Sequence, residues 1–229
     1  MVDKALGTTP LKVVHVSNVI NEVPVAIKEA ITTTEDRTML ANPATEKAWI
    51  DFLYQKQAAP VNQMTISVVL EGGRSKVRVV DMRPRIHHKG DRWSGAYFTP
   101  ATAGEVGTVP LTSDLDQQHP AFFMAGNKSE RYFTQRQIDL TRGEQSTVSM
   151  TFTARSASYE FDVVVTVAAD DKTEEIAIHP DKGGLFRLTG RQEKPINYKQ
   201  AFEEVDGAWI QAPAGQWCTK RYELQDCSP

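Results

Sequence analysis

The sequence is short of the features that would place it in a specialised class. Only two of its 229 residues are cysteine, so no disulfide framework organises the main part of the chain. No apolar run reaches the ~18 residues of a membrane-spanning helix, and the N-terminus lacks the apolar core of a signal peptide. We therefore expect no transmembrane segment in this chain, and a tether upstream of it stays open.

Strong charge of one sign is also missing. The formal net charge of −3 gives no overall attraction to nucleic acid or to an anionic membrane. We expect no nucleic-acid partner, and an unknown protein or polymer partner is favoured.

Motifs of nucleotide binding and nucleophilic catalysis are absent from the sequence. It has no Gly-x-Ser-x-Gly elbow and no Ser-x-x-Lys. Gly72-Gly73 and Gly183-Gly184 lack the Lys-Ser/Thr that completes a phosphate-binding loop. We expect no cofactor and favour a non-enzymatic chain. An enzyme with a site in the long loops of residues 91–127 is the remaining alternative, because the fold could still assemble an acid/base pair.

The strongest positive signal is strand periodicity from Thr147 to His179. Apolar residues alternate with polar ones up to Phe152, and the alternation resumes at Tyr159 and continues to Val167. Period-two alternation with β-branched and aromatic residues is typical of half-buried strands. The stretch predicts an antiparallel hairpin. The apolar alternation from Met64 to Leu70, followed by a Gly-Gly turn and a return strand, predicts a second one.

These patterns predict a mainly β fold, an antiparallel β-sandwich with one amphipathic helix on its N-terminal side. The helix is expected over Ala44–Gln57, with Asn42 as its N-cap and an apolar stripe that includes Trp49. Residues 24–31 are expected to be a short helical or irregular piece, and residues 197–204 are expected to be a short helical piece. We expect a disordered leader over residues 1–10 and a single domain over 11–227, with a weaker alternative boundary near residue 62.

Three segments carry a resemblance to a known group of proteins. Met64–Gly72 continuing into Val77–Pro84, then Ile138–Glu144, and then Gly184–Gly190 resemble the β-rich extracytoplasmic regions of uncharacterised actinobacterial membrane-tethered proteins. The similarity covers roughly residues 44–190 and consists of strand-and-turn patterns. It implies a module at the cell surface or outside the cell and brings no catalytic residue with it. This chain lacks the membrane helix of those proteins, and a cytoplasmic location is the alternative.

A basic segment is the first candidate binding site. Residues 74–92 contain seven basic and two acidic residues, a local charge of +5. Alternation places Arg83, Arg85, His87 and Lys89 on one strand face, with Arg92 just beyond it. Such a patch suits an anionic polymer such as a phosphate-bearing wall polymer. The alternative is a solvated edge strand whose charges prevent aggregation.

Tryptophans provide the second candidate. Trp93, Trp209 and Trp217 lie in segments rich in proline or glycine. Exposed tryptophan can hold a sugar ring or anchor an interface. The alternative is that these rings cover the ends of the sandwich core.

Two weaker candidates remain. Asp114, Asp116 and His119 form a weak metal-site candidate, and a turn stabilised by aspartate side chains is the alternative. Cys218 and Cys227 are predicted to form a disulfide that closes a small terminal loop, which would indicate an oxidising compartment; two separate reduced thiols are the alternative. The sequence as a whole predicts a non-enzymatic extracytoplasmic binding module, and a carbohydrate-binding or wall-polymer-binding domain is the alternative.

Overall fold

The computed structural model describes residues 9–42, 45–100, 109–124, 126–194 and 197–212. The chain is 51% strand and 12% helical, which confirms the prediction of a mainly β fold. In chain order the elements are β1 (Leu11–Asn18), β2 (Val25–Ile27), α1 (Thr34–Ala41), α2 (Glu46–Gln55), β3 (Ala59–Pro60), β4 (Gln63–Gly72), β5 (Val77–Gly90), β6 (Ala96–Thr99), β7 (Val109–Asp114), β8 (Phe123–Met124), β9 (Asn127–Arg131), α3 (Tyr132–Gln135), β10 (Ile138–Leu140), β11 (Gln145–Thr153), β12 (Ser158–Ala169), β13 (Lys172–Ile178), β14 (Phe186–Thr189), β15 (Gln200–Val205) and β16 (Ala208–Gln211).

Among the described residues the strands form three sheets. The first has the order β1-β4-β11-β7-β8-β9, and the second has the order β10-β5-β12-β13, with β14 also paired to β12. The third has the order β16-β15-β6-β2-β3. Pairing is antiparallel except between β11 and β7 and between β15 and β6.

The first two sheets pack face to face around one apolar core. Phe152 on the first sheet meets Phe161 on the second, with ring centroids 4.8 Å apart. Both rings are fully buried, as are the alternating valines of β12 that face the same core. Interleaving of the two inner faces is the packing of a β-sandwich.

Within Thr147–His179, β12 and β13 form an antiparallel hairpin, as predicted. The other two expected pairings, β4 with β5 and β11 with β12, are wrong. Strands β4 and β11 pair with each other in the first sheet, whereas β5 and β12 pair with each other in the second. Each expected turn therefore crosses from one sheet to the other. Glycine is required at the first crossing, because a Cβ on Gly72 would collide with the carbonyl oxygen of Thr141. Alternation shows which side chains point toward the core. It does not show which strands pair, because two strands in facing sheets have the same alternation as two neighbouring strands in one sheet.

The third sheet carries a second core, covered by α1 and α2; we call these elements together the helix-capped lobe. Trp49, Phe52, Phe98, Phe202 and Trp209 pack together there. The centroids of Phe98 and Phe202 are 4.9 Å apart with nearly parallel rings. Aromatic rings supply much of this core, and such pairs add to the stabilisation from burial alone.

The predicted helix is present and shorter than expected. Its N-cap is Thr45 instead of Asn42, and the Thr45 hydroxyl accepts a hydrogen bond from the Ala48 amide at 3.3 Å. Helix α1 was not predicted. Two expected helical pieces are wrong, since residues 25–27 form β2 and residues 200–205 form β15. Strands of so few residues carry too little alternation to be read.

Residues 91–127, expected as two long loops, also contribute β6, β7 and β8 to the sheets.

The sandwich and the helix-capped lobe meet at a small cluster that includes Val61, Trp93 and Tyr198. Backbone bonds cross the same junction, for example from the Asn62 amide to the Thr189 carbonyl at 2.8 Å. No helix in the described part of the chain is long and apolar enough to span a membrane.

Candidate functional site

Three arginines of the predicted basic segment share one face of the second sheet. In the β5–β12 register Arg78 lies opposite Ala168, Arg83 opposite Val164 and Arg85 opposite Asp162. Odd-numbered residues of β12 from 159 to 167 face the sandwich core, so the even-numbered ones lie on the other side, which we call the outer face.

A buried carboxylate lies at the centre of this outer face. The Asp162 side chain is fully buried and accepts two hydrogen bonds from Arg85, at 3.0 Å from Nε and 2.6 Å from Nη2. His87 Nε2 lies 3.1 Å from the same carboxylate. Burial alone would raise the pKa of Asp162, but the hydrogen bonds from Arg85 and His87 outweigh burial and lower it. The group is a satisfied structural ion pair.

The other arginines of the segment are also paired with acids. Arg83 contacts Glu175 at 2.7 Å, and Arg78 contacts Asp139 at 2.6 Å. Arg92 contacts Glu193 at 3.0 Å. The local charge of +5 counted from residues 74–92 alone is therefore offset by acids from other segments, and the outer face is a mixed-charge surface.

Lys89 does not join the arginines. The register shifts between Glu160 and Phe161, which leaves His87 as an extra residue in β5 and places Lys89 opposite Tyr159. Tyr159 belongs to the sandwich core, and the Lys89 ammonium lies 5.4 Å from its ring centroid. The expectation that Arg83, Arg85 and Lys89 share one face is wrong, because a β-bulge reverses the side-chain alternation.

Two of the three singled-out tryptophans are core residues. Trp93 is 5% exposed and packs at the junction between the sandwich and the lobe. Trp209 is also 5% exposed and packs in the helix-capped lobe. Neither indole forms the exposed platform that the sequence suggested, because Trp49 of α2 and Phe98 pack on Trp209 and the junction cluster packs on Trp93. Trp217 lies outside the described residues, and so do Cys218 and Cys227.

The aspartate loop is a turn. Asp116 accepts hydrogen bonds from the Arg155 amide at 2.7 Å, from Ser156 and from the Tyr159 hydroxyl at 2.7 Å. Asp114 accepts one from the Asp116 amide, while His119 is exposed. Burial opposes ionisation of Asp116, and these hydrogen bonds overcome it and lower its pKa. Among the described residues no group of three His, Cys, Asp or Glu is placed to hold a metal ion.

A cavity of about 300 Å³ opens at the end of the helix-capped lobe. Its wall combines two indoles with carboxylates and an amide from the loop after β1, helix α2 and the β15–β16 hairpin. We call it the Trp49–Trp209 cavity, and its main wall residues are Asn21, Glu22, Glu46, Trp49, Glu204 and Trp209.

The polar groups of the wall differ in how they are bonded. Asn21 donates a hydrogen bond to Glu46 Oε1 at 3.0 Å, which links the loop after β1 to the first turn of α2. Trp49 is 7% exposed, and its indole N–H is buried with no hydrogen-bond acceptor among the described residues. A buried N–H without an acceptor costs free energy unless something supplies one.

Sequence reasoning missed most of this cavity. Trp49 was assigned to the apolar stripe of the helix, and Trp209 was singled out without a partner. Glu22, Glu46 and Glu204 lie in three distant segments, and only the third sheet brings them to one end of the lobe. Nothing in their local sequence distinguishes them from surface glutamates.

A second, wider depression lies between α1 and α2. It has a volume of about 570 Å³, and its described wall includes Thr34, Thr38, Met39 and Ala48. The depression is open to solvent and its wall is mostly apolar.

Comparison with known proteins adds no relative. No protein-family model, no curated protein and no solved structure matches the chain. The resemblance to the extracytoplasmic regions of actinobacterial proteins therefore stays a prediction.

Proposed function

We propose that this chain is a non-enzymatic extracytoplasmic binding module and that the Trp49–Trp209 cavity is its recognition site. The observation that carries the proposal is the cavity itself, a concavity with apolar ring atoms and several polar groups converging on about 300 Å³. Small-molecule sites have this combination of apolar surface and a few placed polar groups.

The position of the cavity supports a binding role. Its walls come from a helix, a sheet hairpin and a loop that are joined through one aromatic core. The Trp49 and Trp209 centroids lie only 4.3 Å apart, so the two indoles hold each other in place. A site preformed by packed side chains loses little conformational entropy when a ligand enters.

The chemistry of the cavity wall favours carbohydrate binding over binding of an anionic wall polymer. Carboxylates accept hydrogen bonds from hydroxyl groups, which suits the carbohydrate-binding alternative. An anionic wall polymer would face three glutamates at the cavity and acid-paired arginines on the outer face. We therefore place the carbohydrate alternative ahead of the anionic-polymer alternative.

The sequence placed the enzyme alternative in residues 91–127, and of the described wall residues only Pro100 comes from that range. An enzyme at this wall would use its glutamates, because two carboxylates are the minimum equipment for glycoside hydrolysis. The purified chain incubated with di- and trisaccharides and followed by ¹H NMR should leave the sugars unchanged. Appearance of new anomeric signals that grow in proportion to protein concentration would overturn the non-enzymatic proposal.

The binding role has a separate test. The ¹⁵N-labelled chain is titrated with neutral sugars, alkylammonium, guanidinium and carboxylate compounds, and backbone and indole shifts are mapped. We expect saturable shifts from at least one class around Glu22, Trp49 and Trp209. Failure of every class to shift these residues would contradict the cavity as a recognition site.

Location outside the cytoplasm rests on the predicted disulfide between Cys218 and Cys227. Alkylation under denaturing conditions and intact mass measurement test it on protein isolated from its native host. We expect no alkylation before reduction and two alkylations after it. Two alkylated thiols in the unreduced protein would argue for a reducing compartment.

A further inference from the structure

The depression between α1 and α2 is a mostly apolar surface that lies open to solvent in the described structure. Its volume is about 570 Å³, and all of its described wall residues except Met39 are exposed. It shares no described wall residue with the Trp49–Trp209 cavity. What covers the depression is therefore a separate question from the proposed recognition site.

Hydrogen bonds within the helices and their caps already use the polar side chains of the wall. The Thr38 hydroxyl donates to the Thr34 carbonyl at 2.8 Å, and the Asn42 side chain donates to the Thr38 carbonyl at 2.6 Å. The Thr45 hydroxyl accepts from the Ala48 amide at 3.3 Å. The surface that remains for an occupant is mostly apolar. A large apolar side chain suits such a wall better than a polar ligand does.

The charge of the wall adds a second requirement. Glu35 is the charged residue among the described wall residues. The neighbouring Asp36 is paired with Lys56 at 2.6 Å, whereas Glu35 is exposed and has no ion pair within the described part of the chain. A basic side chain beside Glu35 would orient an occupant more than it would strengthen binding, because exposed ion pairs contribute little.

The segment that follows β16 has both kinds of residue. Residues 213–229 contain three large apolar and two basic side chains within eight positions, which are Trp217, Lys220, Arg221, Tyr222 and Leu224. The other long stretches outside the described residues fit less well. Residues 101–108 have no basic residue, and residues 1–8 have no aromatic ring.

The end of β16 lies close to the start of α1. The Ala212 amide donates to the Ala201 carbonyl at 2.9 Å. Next to Ala201, the Gln200 side chain accepts from the Ile31 amide at 2.6 Å and donates to the Ile31 carbonyl at 3.1 Å. Ile31 lies three residues before α1 begins. A ring five residues beyond Ala212 has a backbone reach of up to about 17 Å, which is enough to reach the first turn of α1.

We propose that residues 213–229 pack over the depression, with the Trp217 ring against Met39 and Ala48 and a basic side chain beside Glu35. The volume of about 570 Å³ has room for an indole and its neighbours. Helix α1 contributes a single buried residue of its own. A tryptophan packed from outside would cover surface that the two helices leave open and would hold α1 on the lobe.

Nuclear Overhauser measurements on the ¹³C,¹⁵N-labelled full chain test this packing. We expect cross-peaks between the Trp217 ring protons and the methyl groups of Met39 and Ala48. Absence of cross-peaks from Trp217 to both methyl groups would overturn the proposal. In a mixture of ¹³C-labelled and ¹⁵N-labelled chains, no such cross-peak should connect one chain to another. Cross-peaks between chains would overturn the proposal in favour of a second copy seated on the depression.

A pair of matched variants connects the cross-peaks to the wall. Ala48→Lys places a long charged side chain at an exposed position that tolerates lysine in a helix, and it should remove the cross-peaks from Trp217 to Met39. Gln55→Lys is the control, since it is an exposed position of the same helix outside the described wall. It should leave the cross-peaks unchanged. Cross-peaks of full intensity in Ala48→Lys would show that the ring does not pack at Ala48 and would overturn the proposal.

Amide hydrogen exchange measures what the packing does for α1. Trp217→Ala should speed exchange in α1 by about 10-fold and leave β12 unchanged, because the helix loses part of its cover. Trp217→Phe keeps an aromatic ring and should restore most of the protection. Gln216→Ala is the control in the same segment and should have no effect. Equal exchange of α1 in the wild type and in Trp217→Ala would contradict the proposal.

Discussion

The sandwich and the helix-capped lobe are built in different ways. The sandwich uses long strands, such as the twelve residues of β12, and its core is filled by regularly alternating aliphatic side chains and phenylalanines. The lobe uses strands of two to six residues from distant parts of the chain and fills its core with packed aromatic rings. The regular region serves as the scaffold, and the candidate cavity lies in the irregular one.

The largest effects should come from emptying each core. Phe161→Ala in the sandwich should lower the free energy of unfolding by about 3–5 kcal/mol, because it leaves a large cavity at a fully buried site. Phe98→Ala in the lobe should cost a similar amount but act locally. Amide hydrogen exchange should then speed up in α2 and β15 well before it does in β12. Equal loss of protection in β12 and α2 would show that the two cores unfold as one unit.

The next effect concerns the outer face of the sandwich. Arg85→Ala leaves the buried Asp162 carboxylate with His87 as its remaining side-chain partner, and should cost about 3 kcal/mol. Arg78→Ala is the control, because its partner Asp139 is 61% exposed and such pairs contribute about 0–1 kcal/mol. Urea unfolding of both variants measures the difference. Equal losses would show that burial of Asp162 does not strengthen its pairing.

The same carboxylate predicts a pH dependence. Because the pKa of Asp162 is lowered in the folded chain, its contribution to stability is fully present above its unfolded pKa of about 3.9 and is lost as pH falls through the folded value. Wild-type stability should therefore fall more steeply below pH 4 than that of Arg85→Ala, in which the pKa of Asp162 is less lowered. Urea midpoints between pH 2 and pH 6 measure this. Parallel curves would assign the acid sensitivity to other carboxylates, such as Asp116.

The smallest effect belongs to the lobe. Thr45→Ala removes the side-chain cap of α2 and should cost about 1 kcal/mol. The cost should be confined to the first turn of the helix, which carries Glu46 to the cavity. Thr34→Ala is the control, since Thr33 and not Thr34 caps α1. If Thr34→Ala lowers the free energy of unfolding as much as Thr45→Ala does, loss of the helix cap does not explain the effect.

The comparison also shows how far the sequence could predict the fold. Alternation from Val148 to Phe152 and from Tyr159 to Val167 correctly predicted the strands and the residues that face the sandwich core. The opposite face of β12 was expected to be exposed, and there the prediction is wrong, because Asp162 and Val164 are buried on it. Alternation could not predict that β11 and β12 lie in different sheets, because pairing depends on contacts with distant strands. The bulge at His87 has no signal of its own, and it is what moves Lys89 away from Arg83 and Arg85.

The lobe was harder to predict for a physical reason. Helix α1 has only one buried residue, Leu40, so it has no apolar stripe to detect. Strand β2 is buried at all three positions and shows no alternation. The cavity depends on Glu22, Glu46 and Glu204 being brought together by these short elements. Of the cavity wall, sequence analysis identified only the apolar stripe around Trp49 and the isolated Trp209.

The central claim is that recognition takes place at the Trp49–Trp209 cavity and not on the charged outer face of the sandwich. The most direct measurement is a crystal structure of the chain soaked with the compound that gives the largest shifts in the ¹⁵N titration. We predict density for that compound within hydrogen-bond distance of at least one cavity glutamate. Density against Arg83 and Arg85, with the cavity empty, would contradict the account.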